Sequence, residues 1–581
     1  MTGHRRRYSG LALRQYSNIL LYCVVASACL SSASVWAQTA PVPDAGSILR
    51  DTERSTVPRA PDLSPFARPE APLEPAPDEV TFLVERFDVR GVTLVPLAEV
   101  QKRLKPWLNR ELTFADLELA LNAIAELYQE RGWYARPQLP AQDVIDNTII
   151  INVIEGRMGS VLFPEEADSF PIASSRLSDY ITAHQETGDY LNMDSLNRSI
   201  RLLNELPGIT TQVAMAPSEE PGASDLVVWA EASHRLNASL MVDNSGSRST
   251  GRERAFVSGN WNNPAGIGDQ VSLTLLGSKG VRYGRLGYEL PVGHQGLKLN
   301  AGLSSLNYRI VRGEQKDLKL RGDAHTVTLG ASYPWLRSAT QNRNLRLTLE
   351  QADYDNEANG DTTSRKRLQT LVLGVSGDVS DSHFGGGFSL WGLDLIQGDL
   401  TLKDAASAEQ DATGPRAAGS FTKLNANLAR LQRITDATTL WASFNGQWAG
   451  SNLDSGQKFS LGGPNGVRAY PTSEGSGDHG WLATLELRHT LNPQWQINAF
   501  YDHGWVQENK DAGFVASDSA RSNRYSLRGA GIGINYSLHS NIRLQASWAH
   551  KLGNNPNAID GNDGDGTDDD SRFWLQLVVS L

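Results

Sequence analysis

The amino-acid sequence predicts an outer-membrane β-barrel of 16 antiparallel strands, preceded by two small α/β domains and an N-terminal linker. Three observations lead to this architecture. Residues 1–37 have the layout of an export signal, residues 82–233 repeat one order of helices and strands twice, and residues 236–581 alternate apolar and polar side chains over many short segments. A strand with one apolar and one polar face fits a barrel wall between lipid and water.

The N-terminal segment, residues 1–37, is typical of a secretory signal peptide. It has four arginines within its first 14 residues, continues with an apolar stretch from Ile19 to Leu30, and ends with small residues around Ala37. The alternative is an anchoring helix, which the short apolar stretch disfavours. Both cysteines of the chain, Cys23 and Cys29, lie in this segment. We therefore expect the exported chain to carry no disulfide and no cysteine-ligated metal.

The next segment, residues 38–80, contains nine prolines and is predicted to be an extended linker. Residues 44–55 within it lack proline and place Ile48 and Leu49 among charged residues. This stretch is compatible with one short amphipathic helix that plugs the barrel, and a helix of this length needs a surface to dock against. The alternative is a linker without a helix.

Residues 82–233 are predicted to form two similar domains, residues 82–157 and 158–233, each with the order strand–helix–helix–strand–strand. In the first domain, the pattern predicts strands at Phe82–Val89, near Ala135 and at Thr148–Ile154, with helices at Pro96–Leu108 and Phe114–Arg131. In the second, it predicts strands at Ser160–Phe163, Ile209–Ala216 and Asp225–Ala230, with helices at Ser174–His184 and Met193–Leu206.

Residues 236–581 contain sixteen alternating segments, which predict the barrel strands. They start near residues 236, 253, 269, 281, 296, 324, 343, 367, 383, 419, 437, 480, 494, 524, 541 and 572. We expect long polar links after the fifth, seventh, ninth, eleventh, thirteenth and fifteenth segments, and mostly tight turns after the even ones. An even strand count places both ends of the barrel at the short-turn rim, where the two small domains must lie. A soluble β-sandwich or propeller is the alternative.

Composition and motifs exclude several function classes. The net charge of −11 disfavours a nucleic-acid binder. No window beyond residue 40 holds 18 consecutive apolar residues, which excludes a helical membrane protein. We find no HExxH, GxSxG, P-loop or CxxC motif, so the sequence predicts no enzyme, cofactor or metal site. The acidic tract at residues 560–570 lacks the ligand spacing of a calcium loop, and we expect it to be a solvated extracellular loop.

Several motifs resemble the two-partner secretion transporters of the outer membrane (TpsB), which export filamentous hemagglutinins and hemolysins. The first-hairpin residues are Asp243-Asn244-Ser245-Gly246-Ser247 and Asn263-Pro264-Ala265-Gly266-Ile267-Gly268-Asp269, and the first small domain contributes Tyr128, Gly132, Leu139-Pro140-Ala141-Gln142-Asp143 and Val153-Ile154-Glu155-Gly156-Arg157. The resemblance covers nearly the whole exported chain. It implies that the two small domains are periplasmic POTRA domains.

The most specific match is Gly462-Gly463-Pro464-Asn465-Gly466-Val467-Arg468-Ala469-Tyr470, after the eleventh segment. It is similar to a conserved loop whose usual form is Val-Arg-Gly-Tyr, with Ala469 here in place of glycine. The resemblance implies that Arg468 meets an acidic residue pointing inward from the thirteenth strand. Alternation along that strand places Asp502 on the polar, lumenal face. We therefore expect Val467, Arg468, Tyr470 and Asp502 to form a lumenal lock; the alternative pairs Arg468 with Glu474 or Asp478 of its own loop.

The resemblance implies transport of a secreted exoprotein, the TpsA-type partner, from the periplasm to the cell surface. The binding site for this partner is expected in the first POTRA domain. The barrel is expected to contact outer-membrane lipid and to be inserted by the barrel-assembly machinery. An outer-membrane assembly factor of the same superfamily and a general diffusion porin are the alternatives. The presence of periplasmic domains disfavours the porin. The presence of only two such domains, rather than a longer array, disfavours the assembly factor.

Overall fold

The computed structural model describes residues 42–56, 81–164, 169–514 and 521–581. The predicted signal peptide, residues 1–37, and the proline-rich residues 57–80 lie outside the described residues. The first described element is helix α1, Ala45–Thr56. Its N-terminus is capped by Asp44, whose carboxylate accepts a 2.9 Å hydrogen bond from the backbone N–H of Ser47. In the described part of the chain, no helix is long and apolar enough to cross a membrane.

The first small domain packs two helices against a three-stranded sheet. Its elements are β1 (Phe82–Val84), β2 (Arg86–Arg90), α2 (Leu97–Leu104), β3 (Arg110–Leu112), α3 (Phe114–Glu130), β4 (Ala135–Gln138) and β5 (Thr148–Glu155). The sheet order is β2–β5–β4, with β2 parallel and β4 antiparallel to β5. Helix α3 begins at a capping box between Thr113 and Asp116. The Glu155 carboxylate accepts the Tyr128 hydroxyl at 2.7 Å.

The second small domain repeats this topology. Its elements are β6 (Arg157–Leu162), α4 (Ser174–Thr182), α5 (Met193–Asn204), β7 (Ile209–Pro217) and β8 (Ala223–Ala232). The sheet order is β6–β8–β7, again with one parallel and one antiparallel pair. Each domain encloses its own apolar core, as the predicted repeat requires.

The barrel is a closed antiparallel sheet of sixteen strands, in agreement with the sequence prediction. The elements from the N-terminal end are β9 (Leu236–Asp243), β10 (Arg254–Asn262), β11 (Gln270–Ser278), β12 (Val281–Val292), β13 (Leu297–Arg309), β14 (Arg321–Arg337), β15 (Gln341–Ala358), β16 (Asp361–Asp381), β17 (Gly387–Leu402), α6 (Ala405–Thr413), β18 (Gly419–Arg433), β19 (Thr438–Ala449), β20 (Phe459–Ser460), β21 (Ser476–Gly477), β22 (His479–Thr490), β23 (Trp495–Gln507), β24 (Arg524–His539), β25 (Ile542–Lys551) and β26 (Ser571–Ser580). The two-residue strands β20 and β21 pair with each other inside a loop, and β26 closes the barrel against β9.

The two faces of the wall differ in chemistry. On β15, Leu345, Leu347 and Leu349 point outward and are exposed, while Ala352 and Tyr354 point inward and are buried. This alternation gives the barrel an apolar exterior suited to lipid.

The prediction of a long loop after the seventh segment is wrong. The seventh and eighth segments, β15 and β16, are joined by the tight turn Asn359-Gly360, in which both residues have positive φ. The charged residues expected in a loop instead extend the two strands, where Asp353 pairs with Arg367 at 2.6 Å and Asp355 with Arg365 at 3.0 Å. Cross-strand ion pairs allow a polar stretch to continue a ladder above the apolar band.

The second small domain lies against the short-turn rim of the barrel. Arg198 of α5 donates to the carbonyl oxygens of Pro334 and Trp335 at 2.6 and 3.1 Å. Glu205 forms an ion pair with Arg337 at the end of β14. These contacts fix the domain beside the lumen entrance on that side.

Placing a charge on the outer wall tests the membrane assignment of the faces. We expect Leu347→Arg, on the outer face of β15, to lower the free energy of unfolding by roughly 2–4 kcal/mol, because an arginine there must be buried in hydrocarbon. Denaturant unfolding in lipid vesicles measures this. Thr401→Arg, at the outer, polar end of β17, is the matched control and should change the free energy by less than about 1 kcal/mol.

Candidate functional site

The connection between β19 and β22, residues 450–478, folds back into the barrel; we call it the lumenal loop. Leu461, Val467 and Tyr470 of this loop are fully buried. They pack against wall residues including Phe500 of β23. The loop is therefore part of the barrel interior rather than a free surface segment.

The backbone of the lumenal loop is shaped by close internal contacts. Strands β20 and β21 pair at its base. The N–H of Val467 donates to the carbonyl of Leu461 at 2.7 Å, and the N–H of Tyr470 donates to the carbonyl of Val467 at 3.0 Å. A Cβ at Gly466 would overlap the carbonyl oxygen of Leu461, so only glycine fits this turn. The tight turn directs the side chain of Arg468 toward the wall.

The structure brings Arg468 and Asp502 together. The Nε and Nη2 atoms of Arg468 each donate to a different Asp502 oxygen at 2.8 Å, which is a bidentate pair. The backbone N–H of Arg468 adds a 3.1 Å bond, and Thr484 donates to the same carboxylate at 2.9 Å. The Arg468 side chain is 2% exposed and that of Asp502 is 0% exposed. All the polar contacts of this carboxylate are thus made with protein.

A second carboxylate completes the charge balance, and sequence reasoning missed it. Arg468 Nη1 donates to Glu486 of β22 at 2.7 Å, and Glu486 also accepts from Arg488 at 2.9 Å. Two arginines and two carboxylates therefore form one buried chain, Arg488–Glu486–Arg468–Asp502. The guanidinium of Arg468 also lies 3.2 Å from the centroid of the Phe500 ring. Alternation along β22 could have identified Glu486. Leu485 and Leu487 face outward, so the residue between them faces the lumen.

Ala469 and Tyr470 fill the space beside the charged chain. Ala469 has an ordinary negative φ, so alanine is accepted where the related loop has glycine. Its methyl group packs on Gly529 of β24. A Cβ added at Gly529 would lie 2.7 Å from this methyl carbon. Lys551 lies 5.3 Å from the centroid of the buried Tyr470 ring. These contacts hold the loop tip against the wall formed by β24 and β25.

The lumenal loop also bridges the seam between the first and last barrel strands. Trp574 of β26 donates its indole N–H to the carbonyl of Arg468 at 2.8 Å. Thr472 donates to the carbonyl of Ser245, just after β9, at 2.8 Å. The loop thus contacts both sides of the strand junction that closes the barrel, a connection that the sequence did not suggest.

The two acidic residues considered as alternative partners within the loop are engaged elsewhere. Glu474 accepts from Asn555 at 2.9 Å and from the backbone N–H of Gly564 at 2.7 Å. Asp478 pairs with Lys458 at 2.9 Å and accepts from the backbone N–H of Leu453 at 3.0 Å. Arg468 therefore pairs with the barrel wall rather than within its own loop.

The acidic tract at residues 560–570 is solvated in part, as expected, because Asp560, Asp568, Asp569 and Asp570 are exposed, but two of its carboxylates are ion-paired with protein. Asp563 is buried and pairs with Lys551 at 3.0 Å and Arg572 at 3.1 Å. Asp565 pairs with Arg572 at 3.0 Å and with Arg252 at 3.1 Å. Protein cations neutralise these carboxylates, which explains why they are buried. Within the ranges that the structure describes, no group of three His, Cys, Asp or Glu side chains is placed to hold a metal ion.

Helix α1 lies in the barrel lumen. Ala45, Ile48 and Leu49 form its apolar face and are buried against inward-facing wall residues. The N–H of Ala45 donates to Asn356 of β15 at 2.9 Å, and Asp44 pairs with Lys366 of β16 at 3.2 Å. The helix therefore occupies space that a translocating chain would need.

Helix α1 is bound to the lumenal loop as well as to the wall. Arg50 donates to the carbonyl of Ser455 at 2.8 Å, and Arg54 donates to the carbonyls of Ser460 and Asn465 at 2.6 and 3.0 Å. Lys366 joins the two elements, because it also pairs with Asp454 of the loop at 2.7 Å. Helix and loop together form one hydrogen-bonded block inside the barrel.

Family models match most of this architecture. Residues 82–156 match the ShlB-type POTRA domain, and residues 222–536, more than half of the chain, match the haemolysin secretion/activation protein ShlB/FhaC/HecB. The chain belongs to the ShlB/FhaC/HecB family. It is an outer-membrane transporter that moves a secreted partner protein from the periplasm to the cell surface, and its POTRA domains lie in the periplasm.

Individual proteins share the architecture at low sequence identity. The heme/hemopexin transporter protein HuxB of Haemophilus influenzae is 25% identical over 93% of this chain and 95% of its own length. The hemolysin transporter protein ShlB of Serratia marcescens is 27% identical over 75% of this chain and 76% of its own. The solved structure of CdiB from Escherichia coli has the same fold, with a TM-score of 0.63 at 22% identity over 88% of this chain and 93% of that one.

Removing the Asp502 carboxylate tests the energetic weight of the buried pair. Asp502→Ala leaves the Arg468 guanidinium buried with one of its two carboxylate partners lost, so we expect a loss of about 3–5 kcal/mol in the free energy of unfolding. Chemical unfolding in detergent measures it. The control is Glu357→Ala, which breaks an exposed pair with Arg321 on the outer wall and should cost at most about 1 kcal/mol. Equal effects of the two substitutions would contradict a buried, desolvated pair.

Glu474 gives the contact between the lumenal loop and the acidic tract a pH dependence. It lies in a loop, outside the membrane-crossing strands, where burial and then the charge of Asp563 raise the pKa of Glu474 to about 7, above the ordinary value of 4.5. A group with a raised pKa stabilises the folded state below its unfolded value, and this contribution is lost as the pH rises through about 7. The full pKa shift corresponds to roughly 3 kcal/mol in the free energy of unfolding.

We therefore expect Glu474→Gln to flatten the dependence of unfolding free energy on pH between about 4.5 and 8. The measurement is a series of chemical unfolding curves across that range. Glu357→Gln, at an exposed carboxylate on the outer face of β15, should keep the wild-type slope. An unchanged slope in Glu474→Gln would show that the carboxyl group titrates alike in the folded and unfolded states.

Proposed function

We propose that the chain exports a single large exoprotein of the adhesin or hemolysin type, captured by the first POTRA domain, residues 82–157, and threaded through the lumen after helix α1 leaves it. The observation that carries this proposal is the filled lumen, because α1 and the lumenal loop occupy the interior of a transporter that must pass a polypeptide. The relatives named above are transporters whose names give different cargoes, heme/hemopexin and hemolysin.

The attachment of α1 is of a kind that can be exchanged. Beside its apolar face, it is held to wall and loop by hydrogen bonds and ion pairs, including those of Arg50, Arg54 and the Asp44–Lys366 pair. Water or the polar backbone of a passing chain can satisfy the same groups, so release of the helix need not leave buried charges unpaired. Residues 57–80, with seven prolines, connect α1 to the first domain. At about 3.1 Å per residue in polyproline conformation, this segment can span roughly 75 Å.

The lock of Arg468, Asp502, Val467 and Tyr470 holds the lumenal loop in the resting position. We propose that transport requires no chemical step by this chain, since folding of the exoprotein outside the cell makes its passage irreversible. Residues 1–37 direct export to the periplasm as a cleaved signal peptide, and the barrel-assembly machinery inserts the barrel into outer-membrane lipid. Under this proposal, the same block of helix and loop opens for export and reseals the pore afterwards.

Removing the capture domain tests the proposed division of roles. Deletion of residues 82–157 should abolish secretion of the partner, while the barrel still reaches the outer membrane, because the second domain carries the described contacts with the barrel rim. Immunoblots of culture medium and outer-membrane fractions measure both. Normal secretion by the deleted protein would rule out capture by the first domain.

Deleting the helix tests the plug. Without residues 44–55, the lumen loses a block of polar and apolar contacts, so single-channel conductance in planar bilayers should rise while secretion persists. A matched control is Arg50→Ala with Arg54→Ala, which removes the bonds to the loop but keeps the helix, and it should produce more frequent openings with a smaller rise in mean conductance. Conductance equal to wild type after the deletion would show that α1 does not occlude the pore.

A further inference from the structure

The outer face of strands β22–β26 carries two arginines, several histidines and no carboxylate. The register places Leu485, Tyr501, Ala530 and His550 in one outward row across β22–β25. On these five strands, all of which the structure describes, no outward position is Asp or Glu. The outward basic residues toward the loop ends of the strands are His479, His503, Arg524, Arg528 and His550. We call this set the outer-rim basic patch.

The outer-rim basic patch lies at the height of the outer lipid headgroups. The periplasmic ends of β23 and β24 are marked by the stacked rings of Trp495 and Tyr536, with centroids 4.2 Å apart. From Trp495 to His503 the chain advances eight residues, or about 27 Å along the strand. Strand tilt reduces this to roughly 20 Å of height, near the upper edge of an apolar band of about 25 Å. His503 is directly opposite Arg528 on the neighbouring strand.

Aromatic rings lie beneath and beside the basic groups. The His503 ring meets Trp481 edge-on at 4.9 Å, and the His550 ring stacks on Trp548 at 6.0 Å. The next row toward the periplasm is apolar and contains Leu487, Ala499, Ile532, Trp548 and Phe573. A ligand held here would therefore place an anionic group beside the arginines and its apolar chains against the rows below.

The outward arginines toward the loop ends of β14–β16 are neutralised by the protein. On β14–β16, Arg321 pairs with Glu357 at 2.5 Å, Arg365 with Asp355 at 3.0 Å and Arg367 with Asp353 at 2.6 Å. Arg528 is exposed and has no carboxylate partner among the described residues. Arg524 donates only to the amide oxygen of Gln507, at 3.1 Å. Among the described residues, no carboxylate is therefore placed to neutralise Arg524 or Arg528.

We propose that the outer-rim basic patch binds the phosphate groups of a phosphorylated glycolipid of the outer leaflet, with Arg528 and His503 as its central contacts. A planar guanidinium is well matched to phosphate oxygens, and the tryptophans seat the lipid below the headgroup. Bound lipid anchors the wall formed by β22–β26, the same wall whose inner face carries Glu486, Asp502 and Trp574 of the lumenal lock.

Binding of defined lipids by the full chain tests the proposal. We suggest native mass spectrometry of the purified protein in neutral detergent, titrated with diphosphoryl lipid A, with lipid A stripped of its phosphates, and with inorganic phosphate. The wild type should bind diphosphoryl lipid A about tenfold or more tightly than the stripped lipid, as a charge-assisted contact with phosphate requires. Arg528→Ser should lose this preference, while Arg321→Ser, at an outward arginine neutralised by Glu357, should keep it.

Folding is checked separately by the heat-dependent shift of the barrel in gel electrophoresis, and His503→Gln provides a second variant that should weaken the preference by a smaller factor. Equal binding of the two lipids by the wild type, or equal loss in Arg528→Ser and Arg321→Ser, would overturn the site. Inorganic phosphate that binds as tightly as the lipid would also overturn it, since the patch would then be a site for free anions rather than for lipid.

Discussion

A guanidinium buried inside the barrel is the constraint on which the interior depends. Transfer of one isolated charge into a protein interior costs several kcal/mol even after relaxation. Arg468 meets this requirement with the bidentate Asp502 pair, the bond to Glu486 and the face of Phe500. Arg488 then balances Glu486, so the buried chain of four groups has no net charge. Any movement of the lumenal loop away from the wall must therefore break the bonds of Arg468 with Asp502 and Glu486, or move the wall together with the loop.

The same loop connects three parts that would otherwise be independent. Its tip bonds to Trp574 and its following residues bond to the chain after β9, on the two sides of the barrel seam. Its base holds helix α1 through Arg50 and Arg54. Because one segment contacts the lock, the seam and the helix, release of the helix and displacement of the loop are mechanically linked. Under the proposed mechanism, the connected block of helix and loop seals the resting transporter, rather than the helix alone.

The barrel was predictable because its strands alternate strictly, and alternation also identified Asp502 as inward. Arg468 came from the resemblance of its loop, since nothing in the local pattern of a polar loop indicates that it enters the lumen. Glu486 could have been found by the same alternation, between the outward Leu485 and Leu487, but one carboxylate already satisfied the expected pair. The role of Trp574 could not have been predicted in this way. Its contact with the loop exists only once the first and last barrel strands, which are far apart in the sequence, have paired.

The two errors in reading polar stretches share one physical origin. Charged residues around Asn359-Gly360 and in the tract at residues 560–570 have the composition of solvated loops. In the folded chain, Arg365 and Arg367 neutralise the first stretch, which becomes strand, and Lys551 and Arg572 neutralise Asp563 in the second, which becomes a partly packed loop. Composition reports the charges of a segment but not the opposite charges that the fold brings to it. Ion-paired polar segments are therefore the places where sequence reasoning about this chain failed.

The most direct test of the sealed block is a reversible cross-link between helix and loop. The Cα of Gly456 lies 3.2 Å from the position of a Cβ on Gly46, so cysteines at these two positions are within disulfide range. No cysteine follows Cys29 in the sequence, which gives a clean background. Secretion of the partner should stop when Gly46→Cys with Gly456→Cys is oxidised and resume on reduction, while each single variant secretes under both conditions. Undiminished secretion by the fully oxidised double variant would contradict the requirement that helix and loop separate.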